Sequence, residues 1–294
     1  MFFVVGSARS GTTLLRLMLN AHSKIAVPPE SRFVVELYKP GEVEVDPFLA
    51  ELAQHKRFQQ WRLPVEAIKN ETGGRALLPY TALIEAAYRA YAGARKKEMW
   101  GDKTPRYVLD IPLLADLFPE ARFIHVVRDG RNVALSYADV PFGPKTVARA
   151  AERWKTRVRA GLLSGRPLGP ERYTELFYEE LVSDPEEQLH SVCSFLGVSF
   201  EPGMLDYRER AKDDVLKRAR RYNPHVTERP TAGVRSWKRQ MTSLQIAVFE
   251  AVAGDLLEEL GYERACPEPG AAARLQARLG LAGVPVTRLK RGPG

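Results

Sequence analysis

The sequence predicts an α/β fold around a mainly parallel central sheet. Short apolar runs read as buried strands, Phe2 to Val5 and Arg122 to Val127 most clearly. Amphipathic helical stretches alternate with them, the order that builds parallel sheets. A glycine-bounded loop, Gly6 to Gly11, separates the first strand from the first helix.

The elements follow in order from local pattern. Phe2 to Val5 is wholly apolar, as a strand covered on both faces must be. A helix runs from Thr13 to Ala21. The segment IAVPPE reads as a strand and then a turn at Pro28 and Pro29. Residues 31–70 read as mostly helical and irregular, and 76–92 carries apolar residues at helical spacing. Glu98 to Gly101 is a short strand and Ile111 to Phe118 a helix followed by Pro119. Arg122 to Val127 is a central strand, with a helix from Asn132 to Tyr137 after it. Tyr173 to Tyr178 is a further strand. Pro185 to Leu196 is a capped amphipathic helix closed by Gly197, and Thr242 to Leu260 a helix closed by Gly261. The expected division is a domain over 1–265 and a partly disordered tail over 266–294. Ala271 to Leu279 is a candidate helix in that tail, and the last ten residues are expected to be loose.

The chain has 294 residues, 45% of them hydrophobic, enough for a sizeable core. Its formal charge is +8, and Asp206 to Arg239 holds 11 Lys/Arg against 5 Asp/Glu, a surplus of 6. Such a segment suits a polyanionic small ligand or an acidic partner; a solvated basic helix face is the plain alternative. Cys193 and Cys266 form no CxxC pair and lack a histidine at zinc spacing, so neither a metal site nor a disulfide framework is expected. No stretch approaches the roughly 20 apolar residues of a membrane span, and the amino-terminal apolar run is too short for a signal peptide. A cytoplasmic protein is the expectation.

Five groups of residues carry candidate chemistry. Arg9, Ser10, Gly11, Thr12 and Thr13 lie where a strand, a glycine-bounded loop and a helix start make an anion site from backbone N–H groups and the helix dipole. The loop has the GxxxxG spacing of nucleotide-triphosphatases, but Thr12 stands where their lysine would be, and the cation is Arg9 inside the loop. This predicts a three-layer α/β/α fold of P-loop type that holds a phosphate-like group and is poorly equipped for ordinary triphosphate chemistry. In VVRDGRNVALSY, Arg128 lies at a strand end and Ser136 in the following helix, placed to converge on one phosphate; a surface turn is the alternative. Glu30 in PPESRF is either a general base or a helix-start carboxylate. Lys103 in WGDKTPR either neutralises developing charge or is a solvated turn lysine. In RPTAGVRSWKRQMT, Trp237 can pack while Thr231, Arg235 or Lys238 reaches a phosphate, unless this is a basic loop anchored by one tryptophan.

These strings, with FYEELVSDPEEQL, occur in the order seen in sulfotransferases that use 3′-phosphoadenosine 5′-phosphosulfate (PAPS). The chain resembles the bacterial and tyrosylprotein members over about residues 1 to 262. The resemblance implies that Arg9 to Thr13 bind the 5′-phosphosulfate, that Arg128 and Ser136 bind the 3′-phosphate, and that Tyr178 lies near the adenosine. It implies Glu30 as the catalytic base and Lys103 as the catalytic lysine, with the bisphosphate PAP as product and no metal. The 229–242 loop is similar to the cofactor-covering loop of cytosolic members, but Pro230 and Thr231 replace its Arg and Lys. That leaves open which of Thr231, Arg235, Ser236 and Lys238 touches cofactor. The membrane anchor of tyrosylprotein enzymes has no counterpart here, which counts against a tyrosylprotein acceptor. The expected acceptor is a hydroxyl or amine on a small molecule, carbohydrate, lipid or peptide. Two rivals stand beside this reading. A P-loop small-molecule kinase would need GK[ST] and a metal-binding Asp, for which Asp129 is the candidate. A nucleic-acid-binding protein would use the basic 206–239 segment, although no aromatic-rich RNA motif or helix-turn-helix accompanies it.

Overall fold

β1 (Phe2–Gly6) is buried along its whole length because it is the middle strand of the sheet. The computed structural model describes residues 1–141, 143–207, 236–284 and 286–289. After β1 come α1 (Thr12–Ala21), β2 (Ile25–Ala26) and α2 (Phe33–Glu36). A side lobe follows, made of β3 (Glu42–Glu44), α3 (Val45–Gln54), α4 (Lys56–Gln59), α5 (Val65–Glu71) and β4 (Leu77–Pro79). The chain returns to the sheet through α6 (Tyr80–Gly93) and β5 (Met99–Lys103). A 3₁₀ turn (Pro105–Leu109), α7 (Ile111–Leu117), β6 (Arg122–Val127), α8 (Gly130–Ala138) and α9 (Val147–Gly165) come next. Then follow β7 (Tyr173–Phe177), α10 (Tyr178–Ser183) and α11 (Pro185–Leu196). Past residue 235 lie α12 (Trp237–Gln240), α13 (Ser243–Glu259) and α14 (Ala271–Leu281).

The five-stranded sheet has the order β2-β5-β1-β6-β7, and every pairing in it is parallel. Side-chain alternation assigns its two faces. Phe2 and Val4 pack with Leu15, Leu189 and Val192 from α1 and α11. Phe3 and Val5 pack with Leu83, Tyr107 and Val108 on the opposite side. A third cluster, around Trp154 and Phe249, joins α8, α9, α13 and α14. This is the expected three-layer α/β/α arrangement. Among the described residues no helix is long and apolar enough to cross a membrane.

Several boundaries differ from the sequence expectation. Leu77–Pro79 pairs antiparallel with Glu42–Glu44, so the 76–92 stretch begins as a strand and turns helical only at Tyr80. The helix expected from Asn132 starts at Gly130, because the Asp129 side chain accepts from the Arg131 N–H and caps it. Tyr178 opens α10 rather than ending β7. The longest described helix, α9, had no sequence assignment. Its buried residues, among them Ala150, Ala151, Trp154, Val158 and Leu162, recur at helical spacing. The segment after residue 265 carries α14, whose Ala273 and Ala277 are buried in the third cluster.

A buried ionic cluster fastens this third layer to the sheet. The Arg131 guanidinium donates to both carboxylate oxygens of Asp129 at 3.0 and 2.8 Å, and to Glu250 Oε1 at 2.8 Å. It also lies 3.6 Å from the ring centre of Trp237. Glu250 in turn accepts from the Ala265 and Cys266 N–H groups. One cation thus holds the start of α8, α12, α13 and the chain at 265–266. Arg131→Met leaves the buried Asp129 without its cation and Glu250 with only Arg264, 3.8 Å away, and should destabilise by roughly 3–5 kcal/mol in chemical denaturation. Arg159→Met, which removes its exposed ion pairs with Asp255 and Glu259, should cost about 1 kcal/mol or less.

Candidate functional site

Parallel pairing brings four strand ends to one edge of the sheet. β1 leads into the Ser7–Gly11 loop, β5 ends at Lys103, β6 runs into Arg128 and β7 into Tyr178. This carboxyl edge is where open α/β sheets bind ligands. In the loop, Arg9 takes a left-handed conformation (φ 76°) and Gly11 another (φ 97°), and no side chain caps α1. The first backbone N–H groups of α1 have no intrahelical acceptor and face the loop. Ser7 and Ser10 are fully buried, yet their hydroxyls have no hydrogen-bond partner.

Arg9, Arg128, Ser136 and Tyr178 come together against this loop. Arg9 Nε donates to Ser136 Oγ at 2.8 Å, across 127 residues of sequence. Arg128 Nη1 donates to the Arg9 carbonyl at 3.2 Å, and its guanidinium lies 4.1 Å above the Tyr178 ring. The ring edge presses on Gly11, where an added Cβ would fall 2.2 Å from it. Thr12 is buried at the start of α1 and Thr13 is half-buried beside it.

Glu30 and Lys103 meet a few residues away along the same edge. Lys103 Nζ donates to Glu30 Oε1 at 3.0 Å, and Arg57 lies 3.7 Å from the other carboxylate oxygen. Burial pushes the Glu30 carboxyl up, but Lys103, Arg57 and Arg32 outweigh it and hold Glu30 below the usual glutamate range. The Lys103 side chain is 6% exposed and that of Glu30 is 27% exposed, so the carboxylate is the member that solvent reaches. Buried hydrogen bonds fix both residues. Trp61 Nε1 donates to the Pro29 carbonyl at 2.8 Å, and the Ser31 N–H donates to Thr104 Oγ1 at 3.1 Å. The Ser31 and Tyr107 hydroxyls are 2.8 Å apart. Beside Lys103, the fully buried Asp102 accepts from the Tyr88 hydroxyl at 2.5 Å. Burial raises the Asp102 carboxyl above its ordinary value despite the hydrogen bonds to it. Tyr88 is itself stacked on Trp100, with ring centres 4.4 Å apart.

The loop residues, Arg128, Ser136 and Tyr178 therefore form one cluster, and Glu30 with Lys103 a second on the same edge. Lys238 pairs with Glu263 at 2.6 Å on an exposed surface of α12. Trp237 is buried, donates its backbone N–H to Asn132 Oδ1 and covers Arg131. Thr231 and Arg235 lie outside the described residues, as does most of the basic 206–239 segment. Asp129, the candidate metal ligand of the kinase reading, is engaged by Arg131 through both oxygens. His125 is fully buried, its Nδ1 2.7 Å from the Tyr173 hydroxyl, and burial lowers its pKa to about 3. Sequence reasoning passed over Arg57, Arg32 and the Asp102–Tyr88 pair. Arg32 and Asp102 stood inside the PPESRF and GDKTP strings, whereas nothing local marked Arg57 or Tyr88.

The site is a phosphate-type loop at the edge of a parallel sheet, with Thr12 at the triphosphatase lysine position, Arg9 inside the loop and the Glu30–Lys103 ion pair alongside. The chain belongs to the sulfotransferase family, whose model matches residues 2–202. It is 26% identical over 289 residues to nodulation protein NoeE of Sinorhizobium fredii, covering 89% of this chain and 66% of that one. It is 26% identical over 224 residues to a protein-tyrosine sulfotransferase of Drosophila melanogaster, covering 71% of this chain and 40% of the relative. The chain thus spans two fifths to just under two thirds of the length of these two relatives. Among solved structures it is similar to the sulfotransferase domain of the Synechococcus PCC 7002 olefin synthase. That likeness has a TM-score of 0.64 and 26% identity, over 90% of this chain and 94% of that one.

The contact between Gly11 and Tyr178 gives this geometry a direct check. Gly11→Ala adds a methyl group into the tyrosine ring at a left-handed backbone position, where an L side chain is itself strained. The variant should stay folded by circular dichroism and lose adenosine 3′,5′-bisphosphate affinity at least roughly tenfold, about 1.4 kcal/mol, by calorimetry.

Proposed function

We propose that this chain is a PAPS-dependent sulfotransferase acting on a hydroxyl or amine acceptor. The observation that carries the reading is the convergence of Arg9, Arg128 and Ser136 around one loop, with Glu30 and Lys103 on the same sheet edge. The residues present fit such a nucleotide. The buried hydroxyls of Ser7 and Ser10 lack partners that an anion's oxygens would supply. In this reading the Arg9–Thr13 loop holds the 5′-phosphosulfate, Arg128 and Ser136 the 3′-phosphate, and Tyr178 the face of the adenosine. Thr231, Arg235 and Lys238 remain candidates for the covering loop. Residues 1–265 carry the transfer site, and α14 buttresses α9.

When bound, the nucleotide supplies the sulfuryl group and leaves as the 3′,5′-bisphosphate. The chain's own residues do the rest. Glu30, ionised and reached by solvent, takes the proton from the attacking hydroxyl at a carboxylate oxygen. Lys103 and Arg9 place fixed positive charge where negative charge grows on the sulfonyl and bridging oxygens, as in phosphoryl transfer. A kinase reading gains no support, because Thr12 replaces the lysine and Asp129 is bound to Arg131.

Two variants test the division of labour. Glu30→Gln should lower turnover with labelled PAPS roughly 10²–10⁴-fold and leave bisphosphate affinity within about twofold. Arg128→Ala should do the reverse in binding, weakening the bisphosphate by about 1.5–3 kcal/mol in calorimetry. Equal loss of both properties in Glu30→Gln would make Glu30 a structural residue.

The pH dependence follows from the cations around Glu30. Its pKa is depressed, so the base form persists to low pH and activity falls only below the ordinary glutamate range. Arg57→Gln removes one of those cations and so raises the Glu30 pKa. The acid limb of the rate profile should move to higher pH. An acid limb that stays put would detach it from Glu30.

A further inference from the structure

α9 carries positive charge on two sides, and the protein treats them differently. On one side Lys155 and Arg159 meet Asp255 at 2.8 and 3.1 Å, and Arg159 also faces Glu259 at 3.5 Å. On the other side Arg149, Arg153 and Arg157 follow one another at intervals of four residues, so they share one face of the helix. None of the three has an ion pair with a described acidic residue. Like charges at this spacing destabilise a helix by a few tenths of a kcal/mol per pair, roughly 0.2–0.5.

The row opens onto a cavity of about 820 Å³, which Lys145, Arg149, Arg153, Arg157 and Arg288 line against the single carboxylate of Glu152. Of these cations, Lys145 is turned to the Val140 carbonyl. The wall also includes Leu109, the last residue of the 3₁₀ turn that begins two residues after Lys103. Arg157 is half-buried, and burial together with Arg153, Arg106 and Arg32 lowers its pKa. Arg32 also acts on Glu30. The same 3₁₀ turn that brings Leu109 to the cavity carries Tyr107, whose hydroxyl meets Ser31 beside Glu30, so one element joins the cavity wall to the proposed base. An arginine offers a planar fork of donors suited to phosphate and similar oxyanions. Three of them at four-residue steps span roughly 12 Å, more than one phosphate group needs.

We propose that this arginine lane docks the acceptor, and that the acceptor is a small hydroxyl compound bearing a phosphate or another multiply charged oxyanion. The inference rests on the sulfotransferase reading, since it takes the acceptor's hydroxyl to be the group that reaches Glu30 while α9 holds its charged group. The nucleotide loop and the lane are different sets of residues, so both should fill at once.

The test uses the full chain saturated with adenosine 3′,5′-bisphosphate and titrated with inorganic tripolyphosphate in a calorimeter. Binding is expected with the nucleotide site filled. Arg153→Ala/Arg157→Ala should weaken it at least tenfold. Lys155→Ala/Arg159→Ala makes the same change of charge on the paired side and should alter it less than twofold. Bisphosphate affinity and melting temperature report that each variant is folded. Equal losses in the two variants, or no tripolyphosphate binding to the bisphosphate-loaded chain, would overturn the proposal. So would a single-stranded oligonucleotide that binds the lane far more tightly than tripolyphosphate, which would make it a nucleic-acid surface. Failure of the bisphosphate itself to bind would count against the sulfotransferase reading, and the contrast between the two variants would still decide the lane.

Discussion

The hydrogen bond from Arg128 to the Arg9 carbonyl is the contact on which the loop end of the candidate site depends. It joins the ends of β1 and β6, which are adjacent parallel strands, and so converts sheet register into loop shape. With its carbonyl held, Arg9 adopts a left-handed backbone and aims its own guanidinium at Ser136. Such a conformation costs a non-glycine residue roughly 1–3 kcal/mol, and it persists only where neighbours over-determine it. Here they do: Ser136 engages the side chain, Arg128 the carbonyl, and Tyr178 packs against Gly11 two residues on. The loop is thereby shaped before any anion arrives, which reduces what binding must spend on ordering.

The acid–base end is governed by a different balance. Burial pushes the Glu30 carboxyl up and so against ionisation, but three nearby cations outweigh it and hold the carboxyl below the usual glutamate range. The same cations make it a weaker base than an ordinary carboxylate. In the proposed role of base such a residue would act through placement more than through basicity, and placement is what the surrounding hydrogen bonds supply. Pro29 and Ser31, on either side of Glu30, are each tied to a buried partner, Trp61 and Thr104. Lys103 sits between Asp102 and Thr104, both fully buried. The pair is thus held from both strand ends while only the carboxylate is open to an incoming hydroxyl.

How much of this was legible in the sequence depended on whether a feature is local. The strand–loop–helix of residues 2–21 and the Arg122–Val127 strand are local patterns, and the structure has them nearly where they were expected. The convergence of Arg9 with Ser136, or of Glu30 with Lys103 across 73 residues, follows from strand order, which single-sequence periodicity does not contain. It was the ordered set of motifs, read as a family resemblance, that linked them. α9 escaped notice because its buried face is built largely of alanine and glycine between arginines. Small residues carry little hydropathy even when, like Ala150, Ala151 and Gly161, they pack directly on neighbouring elements. Arg57 escaped for the opposite reason: it is a half-buried arginine in an unremarkable helix, and only the side lobe's return toward Glu30 makes it electrostatically important.

Charge counting shows the same limit. By composition the surplus belongs to the 206–239 segment. In the fold, what matters is which cations meet carboxylates, and α9 shows that the answer can differ between two sides of one helix. Lys155 and Arg159 are matched by Asp255 and Glu259 on α13, so their field is largely cancelled at short range. The Arg149–Arg157 side keeps its field, next to low-dielectric walls that focus it into the cavity. Such a field attracts anions without selecting among them, whereas selection requires donors fixed in a pattern. The helix provides that pattern, because its backbone spaces the guanidinium groups regularly and the buried face of α9 is locked into the third core cluster. If α9 docks the acceptor as proposed, a rigid row of unmatched arginines would discriminate by the distance between an acceptor's charge and its hydroxyl.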